Sequence, residues 1–355
     1  MKRKICFFVG GVSAAGGTER VASLIANSLV DFGLDVKFIS LDGTVEPYFS
    51  LNAPIIPLSK GKGVNKHISI CQSVRRIVKS EGFDVFIDVD TMLSFYSVPS
   101  LVGLNVKHIS WEHFNFYVNF NLLTRRVSRY IAALFCDHIV TLTKKDEGYW
   151  KKNTFGIAKV STIPNPLQKI PLVDTYNQAP SLEHKTILAV GRLTYQKGFD
   201  LLLKAWSLVE KKNWSLKIVG DGEDLTSLLR LSKELNLTSS VHFLPATKNI
   251  DAEYRSASFF CLSSRFEGFG MVVLEALSHG LPVVSFDCDA GPSDMIIEGI
   301  NGKLVPCESI EGLAAALTEF LNMSNDEYDC FSKNAQGKSC DFYIDEIRES
   351  WLSIL

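Results

Sequence analysis

The chain has 355 residues, 46% hydrophobic and 21% charged, with a formal net charge of −2. This composition excludes a disordered chain and a fibrous repeat, and the length predicts two domains at roughly 100–200 residues each. The overall charge excludes a uniformly basic protein, and no nucleic-acid partner is expected.

From the first residues onward, short β-branched and aromatic runs alternate with longer amphipathic stretches. This is the pattern of an α/β fold. Strands are expected in the first half at 4–10, 35–41, 55–58, 83–88, 106–111, 138–143 and 160–163. In the second half they are expected at 186–191, 215–220, 241–244, 257–263, 282–287 and 303–305. Residues 17–29, 68–79 and 200–209 carry apolar side chains at helical spacing.

The basic start, Met1 to Lys4, precedes only a short apolar run, so no signal peptide is read there. The longest apolar stretch, 85–104, is broken by Asp88, Asp90 and Pro99. The protein is therefore expected neither to be secreted nor to span a membrane. The eight cysteines form no C-x-x-C pair and read as buried thiols of a reducing cytoplasm.

Between Pro164 and Glu183 the chain is rich in proline (Pro164, Pro166, Pro171, Pro180) and poor in periodic apolar residues. It reads as a linker, after which strand–helix alternation restarts. Two doubly wound domains follow, joined at about residue 175. Ligands of such sheets sit beyond the carboxyl ends of the strands. Two facing domains would place the site in a cleft between them.

The net charge divides unevenly. Residues 1–175 hold 21 Lys and Arg against 14 Asp and Glu, or +7; residues 176–355 hold 16 against 25, or −9. The cations of the first half cluster as Arg75, Arg76, Lys79, as Arg125, Arg126, Arg129, and as Lys144, Lys145, Lys151, Lys152. They read either as solvated helix faces or as a surface for an anionic membrane or a diphosphate acceptor.

Four segments carry chemistry. Gly10-Gly11 and Gly16-Gly17-Thr18-Glu19-Arg20 form a glycine-rich turn between a strand and a helix. Bare N–H groups there can meet an anion, or the turn can simply pack the helix. Gly191-Arg192-Leu193 with Lys197-Gly198 offers two cations after a strand, suited to a diphosphate or to a solvated loop. Glu267-Gly268-Phe269-Gly270 places a carboxylate in a loop, and Glu275 follows eight residues later inside a helix. Such carboxylates accept bonds from sugar hydroxyls and a ribose diol. They also match a glycosidase acid/base pair, which would leave the cations unexplained. His113, in Trp111-Glu112-His113, follows the carboxyl end of a strand.

Together these residues resemble the retaining glycosyltransferases of family 4, which have the GT-B fold of two Rossmann-like doubly wound domains. The resemblance rests on Gly16 to Arg20, Gly191-Arg192-Leu193 with Lys197-Gly198, Gly220-Asp221-Gly222, Glu267 to Glu275, Asn165 after Ile163-Pro164, and Asn301-Gly302. Residues 285–292 resemble members that build bacterial surface polysaccharide, of the amylovoran and O-antigen type. The resemblance implies an acceptor domain at 1–170, a linker at 171–182, a nucleotide-sugar domain at 183–340, and a terminal helix at 341–355 that crosses back to the first domain.

It also implies roles. Gly16 and Gly17 would meet the donor phosphate, and Arg192 and Lys197 would neutralise the diphosphate. Glu275 would bind ribose. Glu267 would bind the donor sugar with Gly268, Phe269 and Gly270, and His113 would hold it near its reacting carbon. The base would rest near Leu244. The implied donor is a UDP-sugar, and the implied acceptor is a lipid-diphosphate-linked sugar at the inner face of the cell membrane. The enzyme is expected in the cytoplasm, in peripheral contact with anionic lipid. No cofactor and no metal are implied, although Asp287-Cys288-Asp289 fits D-x-D in spelling. A nucleotide-sugar epimerase of the same fold is the alternative, and a non-catalytic binding subunit a further one.

Overall fold

The computed structural model describes residues 2–58, 66–120, 122–169 and 179–355. The expected linker therefore lies, for 171–178, outside the described residues. The chain divides into two compact units, Met1–Gln168 with Tyr343–Leu355, and Lys169–Phe342.

The first unit is one parallel sheet of seven strands. They are β1 (Lys4–Val9), β2 (Asp35–Ser40), β3 (Ile55–Pro57), β4 (Val85–Val89), β5 (Lys107–Trp111), β6 (His138–Thr141) and β7 (Lys159–Thr162), in the order β3-β2-β1-β4-β5-β6-β7. Helices α1 (Gly17–Asp31), α2 (Lys66–Glu81), α3 (Ser94–Leu101), α4 (Leu123–Phe135) and α5 (Lys144–Asn153) connect them. Ile5, Cys6, Phe7 and Phe8 have no exposure at all, as a strand covered on both faces requires. Each such large apolar side chain contributes about 1.5–3 kcal/mol by burial.

The second unit is a parallel sheet of six strands. They are β8 (Thr186–Val190), β9 (Ser215–Val219), β10 (Val241–Leu244), β11 (Phe259–Leu262), β12 (Val283–Asp287) and β13 (Gly302–Pro306), in the order β10-β9-β8-β11-β12-β13. Its helices are α6 (Phe199–Leu208), α7 (Leu225–Glu234), α8 (Ile250–Arg255), α9 (Met271–Ser278), α10 (Pro292–Met295), α11 (Ile310–Leu321) and α12 (Asn325–Ser339). Trp206, Trp214, Phe259 and Phe320 lie in one core cluster there, with Trp214 stacked on Phe259 at 5.5 Å.

Helix α13 (Ile344–Ile354) groups with the first unit. Trp351 packs its ring against Trp111 at 4.8 Å, and Arg348 donates to Ser28 Oγ at 3.3 Å. All eight cysteines are free thiols. Cys6, Cys136, Cys261 and Cys288 are buried as expected, but Cys307, Cys330 and Cys340 are exposed on or near surface elements that alternation alone does not reveal. Among the described residues no helix is long and apolar enough to cross a membrane.

Candidate active site

The order of the second sheet reverses between β8 and β11, so the loops leaving those strands diverge and open a crevice. Lys197 comes from the first loop and Glu267 from the second. They meet there, Nζ to Oε1, at 2.6 Å. Ser264 Oγ donates to the same carboxylate oxygen at 2.6 Å. Glu267 is buried, while the Lys197 side chain keeps 16% exposure, so the pair faces solvent on one side.

Glycine makes this approach possible. Gly198 has φ +61°, and a Cβ there would run into the carbonyl oxygen of Ser263. Gly291 has φ +105°, and a Cβ there would strike the carbonyl of Phe269. Backbone therefore lies on backbone across three loops. Arg265 ties the loops after β8 and β11 together, its backbone N–H on the Gln196 carbonyl and its Nη1 on the Tyr195 carbonyl, both at 2.8 Å. Its guanidinium donates to both oxygens of Asp200 at 2.9 and 2.8 Å and lies over the Tyr195 ring at 4.1 Å. Burial works to raise the Asp200 carboxyl, yet Arg265 holds it below the usual range.

Gly268, Phe269 and Gly270 carry the chain from Glu267 into α9. Gly270, at φ +88°, is the residue before its first turn. Glu275 follows one turn in and is buried. Its Oε2 accepts the Tyr254 hydroxyl at 2.9 Å, and the Tyr254 ring stacks on His279 at 4.9 Å. Arg192 is exposed just beyond β8 and makes no ion pair among the described residues. Leu244 ends β10, and its carbonyl accepts the Gly220 N–H at 2.9 Å. Ser264, Tyr254 and the Arg265–Asp200 clamp were not legible as site residues. Of these only Ser264 carried a signal, its place three residues before Glu267.

In the first unit the order reverses between β1 and β4. A cavity of about 250 Å³ lies there, lined by Gly10, Gly11, Thr18, Glu19, Asp90 and Leu93 among others. Gly16 precedes α1 and Gly17 opens it, with no side chain capping its first turn. Asp90 has φ +113°, a conformation that side chains other than glycine rarely adopt. Its carboxylate accepts from Met92 N at 2.8 Å and from Arg125 Nη2 at 2.9 Å.

His113 is buried beside Trp111, ring centroids 4.4 Å apart, and its Nε2 has no hydrogen-bond partner among the described residues. Burial, helped by the nearby Arg125, pushes its pKa down to about 4. The imidazole is therefore neutral at pH 7, free to bond a hydroxyl without adding charge.

One expectation needs correction. Arg125, Arg126 and Arg129 do not form an outward basic patch. Arg129 is 1% exposed, with Nε on Glu112 at 2.8 Å and its other nitrogens on Phe116 O, Val118 O and Asn119 Oδ1. Arg125 turns in to Asp90 and lies 3.5 Å from Glu112, so only Arg126 faces out. The spacing of α4 sends positions 125 and 129 to one side because they are four apart. The buried Glu112 is the reason charge goes inward there.

Asp287 is exposed and Cys288 buried, so the D-x-D spelling does not gather its side chains. The metal-ligand types that cluster among the described residues are Asp88, His108 and Cys136. Burial opposes charge on His108, but Asp88 at 2.9 Å and Cys136 raise its pKa well above the usual value, and Ser97 donates to the same Asp88 oxygen at 2.6 Å. This is a buried ion pair inside the sheet–helix layer.

The family model for group 1 glycosyl transferases matches residues 176–338, and that for glycosyltransferase family 4 matches 15–168. An uncharacterized glycosyltransferase of Haemophilus influenzae is 38% identical, covering 99% of this chain and 100% of that protein. The amylovoran biosynthesis glycosyltransferase AmsD of Erwinia amylovora is 29% identical over 99% of both chains. An α-1,4-N-acetylgalactosaminyltransferase of Campylobacter jejuni, named for a diphosphate-undecaprenol-linked acceptor, is 26% identical over 99% of this chain and 98% of its own. In structure, the lipopolysaccharide outer core galactosyltransferase WaaB superposes with TM-score 0.80 at 20% identity, covering 99% of this chain and 100% of that one. The epimerase reading finds no support among these relatives. Two parallel doubly wound sheets, two family models that together span most of the chain and a whole-length relative at 38% identity lead to one conclusion: the chain belongs to the family 4 glycosyltransferases of GT-B fold, the amylovoran type of bacterial polysaccharide synthesis.

Proposed function

We propose that the protein transfers a sugar from UDP, with retention at the anomeric carbon, to a hydroxyl of a lipid-diphosphate-linked oligosaccharide. The observation that carries this reading is the Lys197–Glu267 pair at the switch point of the second sheet, with Glu275 one loop and one turn away. A cation and a sugar-binding carboxylate in one crevice suit a donor that joins a diphosphate to a sugar.

In this reading Lys197 leaves Glu267 for the diphosphate, and Arg192 joins it from the rim. Glu267, still held by Ser264, accepts from donor hydroxyls. Glu275, held by Tyr254, takes the ribose diol. The base rests against main chain at Leu244, and Gly16 and Gly17 present N–H groups to phosphate. The neutral His113 bonds a donor hydroxyl near the reacting carbon. The bond from the anomeric carbon to the diphosphate oxygen breaks, and the acceptor oxygen bonds the same face. The departing diphosphate oxygen takes the acceptor's proton. Lys197 and Arg192 stabilise the charge that develops on it.

No side chain is assigned to a metal, so turnover is expected to persist in EDTA. The lipid-diphosphate acceptor is supported by the name of the Campylobacter jejuni relative. It implies work at the cytoplasmic membrane face, with peripheral attachment. The test is a panel of UDP-, GDP- and ADP-sugars scored for thermal stabilisation, then for transfer to a synthetic lipid-diphosphate sugar, with the new linkage assigned by NMR. An α-linked product from an α-linked UDP-sugar is expected. An inverted linkage, or epimerisation of the donor without any acceptor, would defeat the proposal.

A further inference from the structure

Helix α4 presents two unlike faces. Its inner face buries Ser128, Arg129, Ala132 and Ala133. The outer stripe of a surface helix is ordinarily polar. Here Leu123, Val127 and Leu134 stand exposed along it, four and seven residues apart, and Phe135 continues the run. Leu123 keeps 73% exposure and Phe135 63%. The segment after α5 extends this apolar strip. Ala158 N bonds the Ala133 carbonyl at 3.1 Å, which brings Phe155, 82% exposed, and Ile157 to the end of α4. Helices α4 and α5 share one core around Ala132, Ala133, Trp150 and Ala158, so the strip belongs to a fixed surface.

Cations border it. Arg126 lies on the outer side of α4, and Lys144, Lys145, Lys151 and Lys152 are exposed on α5. The acidic residues of the region are exposed Asp137, half-buried Glu147 and buried Asp146. Glu147 answers Lys144 and Lys151. An apolar ridge within a cationic border fits a surface that is greasy inside and negative outside. A second copy of the chain fits less well, because a two-fold contact would set the cationic border against itself.

We infer that the outer face of α4, with Phe155 and Ile157, is the surface by which the protein lies on an anionic lipid bilayer. The ridge enters the acyl boundary and the border holds lipid phosphates. This rests on the proposed lipid-linked acceptor and deepens it, since it names the face that brings the first unit to that acceptor. It also replaces the Arg125–Arg126–Arg129 cluster as the attachment surface.

The experiment is co-sedimentation of the full chain with phosphatidylglycerol–phosphatidylcholine vesicles and with phosphatidylcholine vesicles alone. The wild type is expected to pellet with the first and to stay mostly in solution with the second. The triple variant Leu123→Ser, Phe135→Ser, Phe155→Ser is expected to lose vesicle binding by about tenfold or more. It should keep its melting temperature and its transfer to a water-soluble acceptor. Lys145→Glu with Lys152→Glu should weaken binding and flatten its salt dependence. Undiminished pelleting of the triple variant overturns the inference. So does a wild type that ignores anionic vesicles, or one that is a dimer in solution and becomes a monomer on the same substitutions. Sugar transfer is scored separately: vesicle binding without transfer to any acceptor would sink the proposed reaction and leave this surface standing.

Discussion

The two sheets reverse strand order in the same way, yet they spend charge differently at the reversal. In the second unit the crevice between the β8 and β11 loops holds the partly exposed Lys197 against the buried Glu267. In the first unit the charges near the β1–β4 reversal are drawn inside. Glu112 has no exposure and is held by Arg129 at 2.8 Å, by Thr91 Oγ1 at 2.8 Å and by Phe114 N at 3.1 Å. What the first unit offers at its rim is glycine, a strained Asp90 and a neutral His113. Topology thus selects the place of a site in both units, and side-chain chemistry decides whether charge there serves binding or cohesion.

The contrast is sharpest in a pair of substitutions. Glu112→Ala leaves Arg129 charged and buried without its partner. It should cost about 3–5 kcal/mol of stability, read by urea denaturation. Lys197→Ala should cost less, about 1–2 kcal/mol, since Lys197 keeps 16% exposure and Ser264 still donates to Glu267. It should instead lower kcat by about 10²–10³, read by initial rates of transfer. If Lys197→Ala destabilises as much as Glu112→Ala, the division between cohesive and functional charge fails. Wild-type turnover in Lys197→Ala would remove that residue from the reaction.

A pH series separates two of the three histidines buried in the first unit, His108 and His113, from each other and from His138. His113 has a pKa of about 4 when folded against 6.5 as its ordinary value. Between pH 6.5 and 4 the unfolded chain takes up a proton that the folded chain refuses. His113 should therefore withdraw up to about 3 kcal/mol of stability through that window as pH drops, and His113→Asn should remove that part of the slope, leaving the smaller part that His138, also lowered by burial, contributes. His108 works in the opposite sense. Its pKa is raised by Asp88, so its contribution is complete below pH 6.5 and is lost as pH rises through the folded value. Denaturation midpoints of His113→Asn and His108→Asn across pH check both signs. A slope undiminished in His113→Asn would assign it to other groups.

Much of this architecture was legible in the residues. Every expected strand forms, with ends that differ by one or two residues, because parallel strands covered on both faces must be apolar runs. The order of Lys197, Glu267 and Glu275 was legible too, since loops after strands need glycine and helices need spacing. Direction was not. Arg125 and Arg129 look like surface charge until the buried Glu112 is known, and that partner lies 17 residues away from Arg129 on another strand's end. The apolar stripe of α4 was hidden for the same reason. Leu123, Val127 and Leu134 have the spacing of a core-facing stripe, and only the packing of the opposite face shows that they point out.

The smallest effect expected concerns a residue no motif named. Tyr254 donates to Glu275 Oε2 at 2.9 Å, and Glu275 is proposed to hold the donor ribose. Tyr254→Phe keeps the ring on His279 and removes only the hydroxyl. A hydrogen bond to a charged group contributes about 1.5 kcal/mol at the low end. If that bond aims Glu275, its loss weakens donor binding equally in the ground and transition states. The donor KM should then rise by roughly tenfold with kcat little changed, since a 1.4 kcal/mol difference is about tenfold. A lower melting temperature with an unchanged KM would make Tyr254 a packing residue of α8. A fall in kcat at constant KM would move Glu275 from the ribose toward the reacting carbon, and with it the boundary between the binding and catalytic parts of the second crevice.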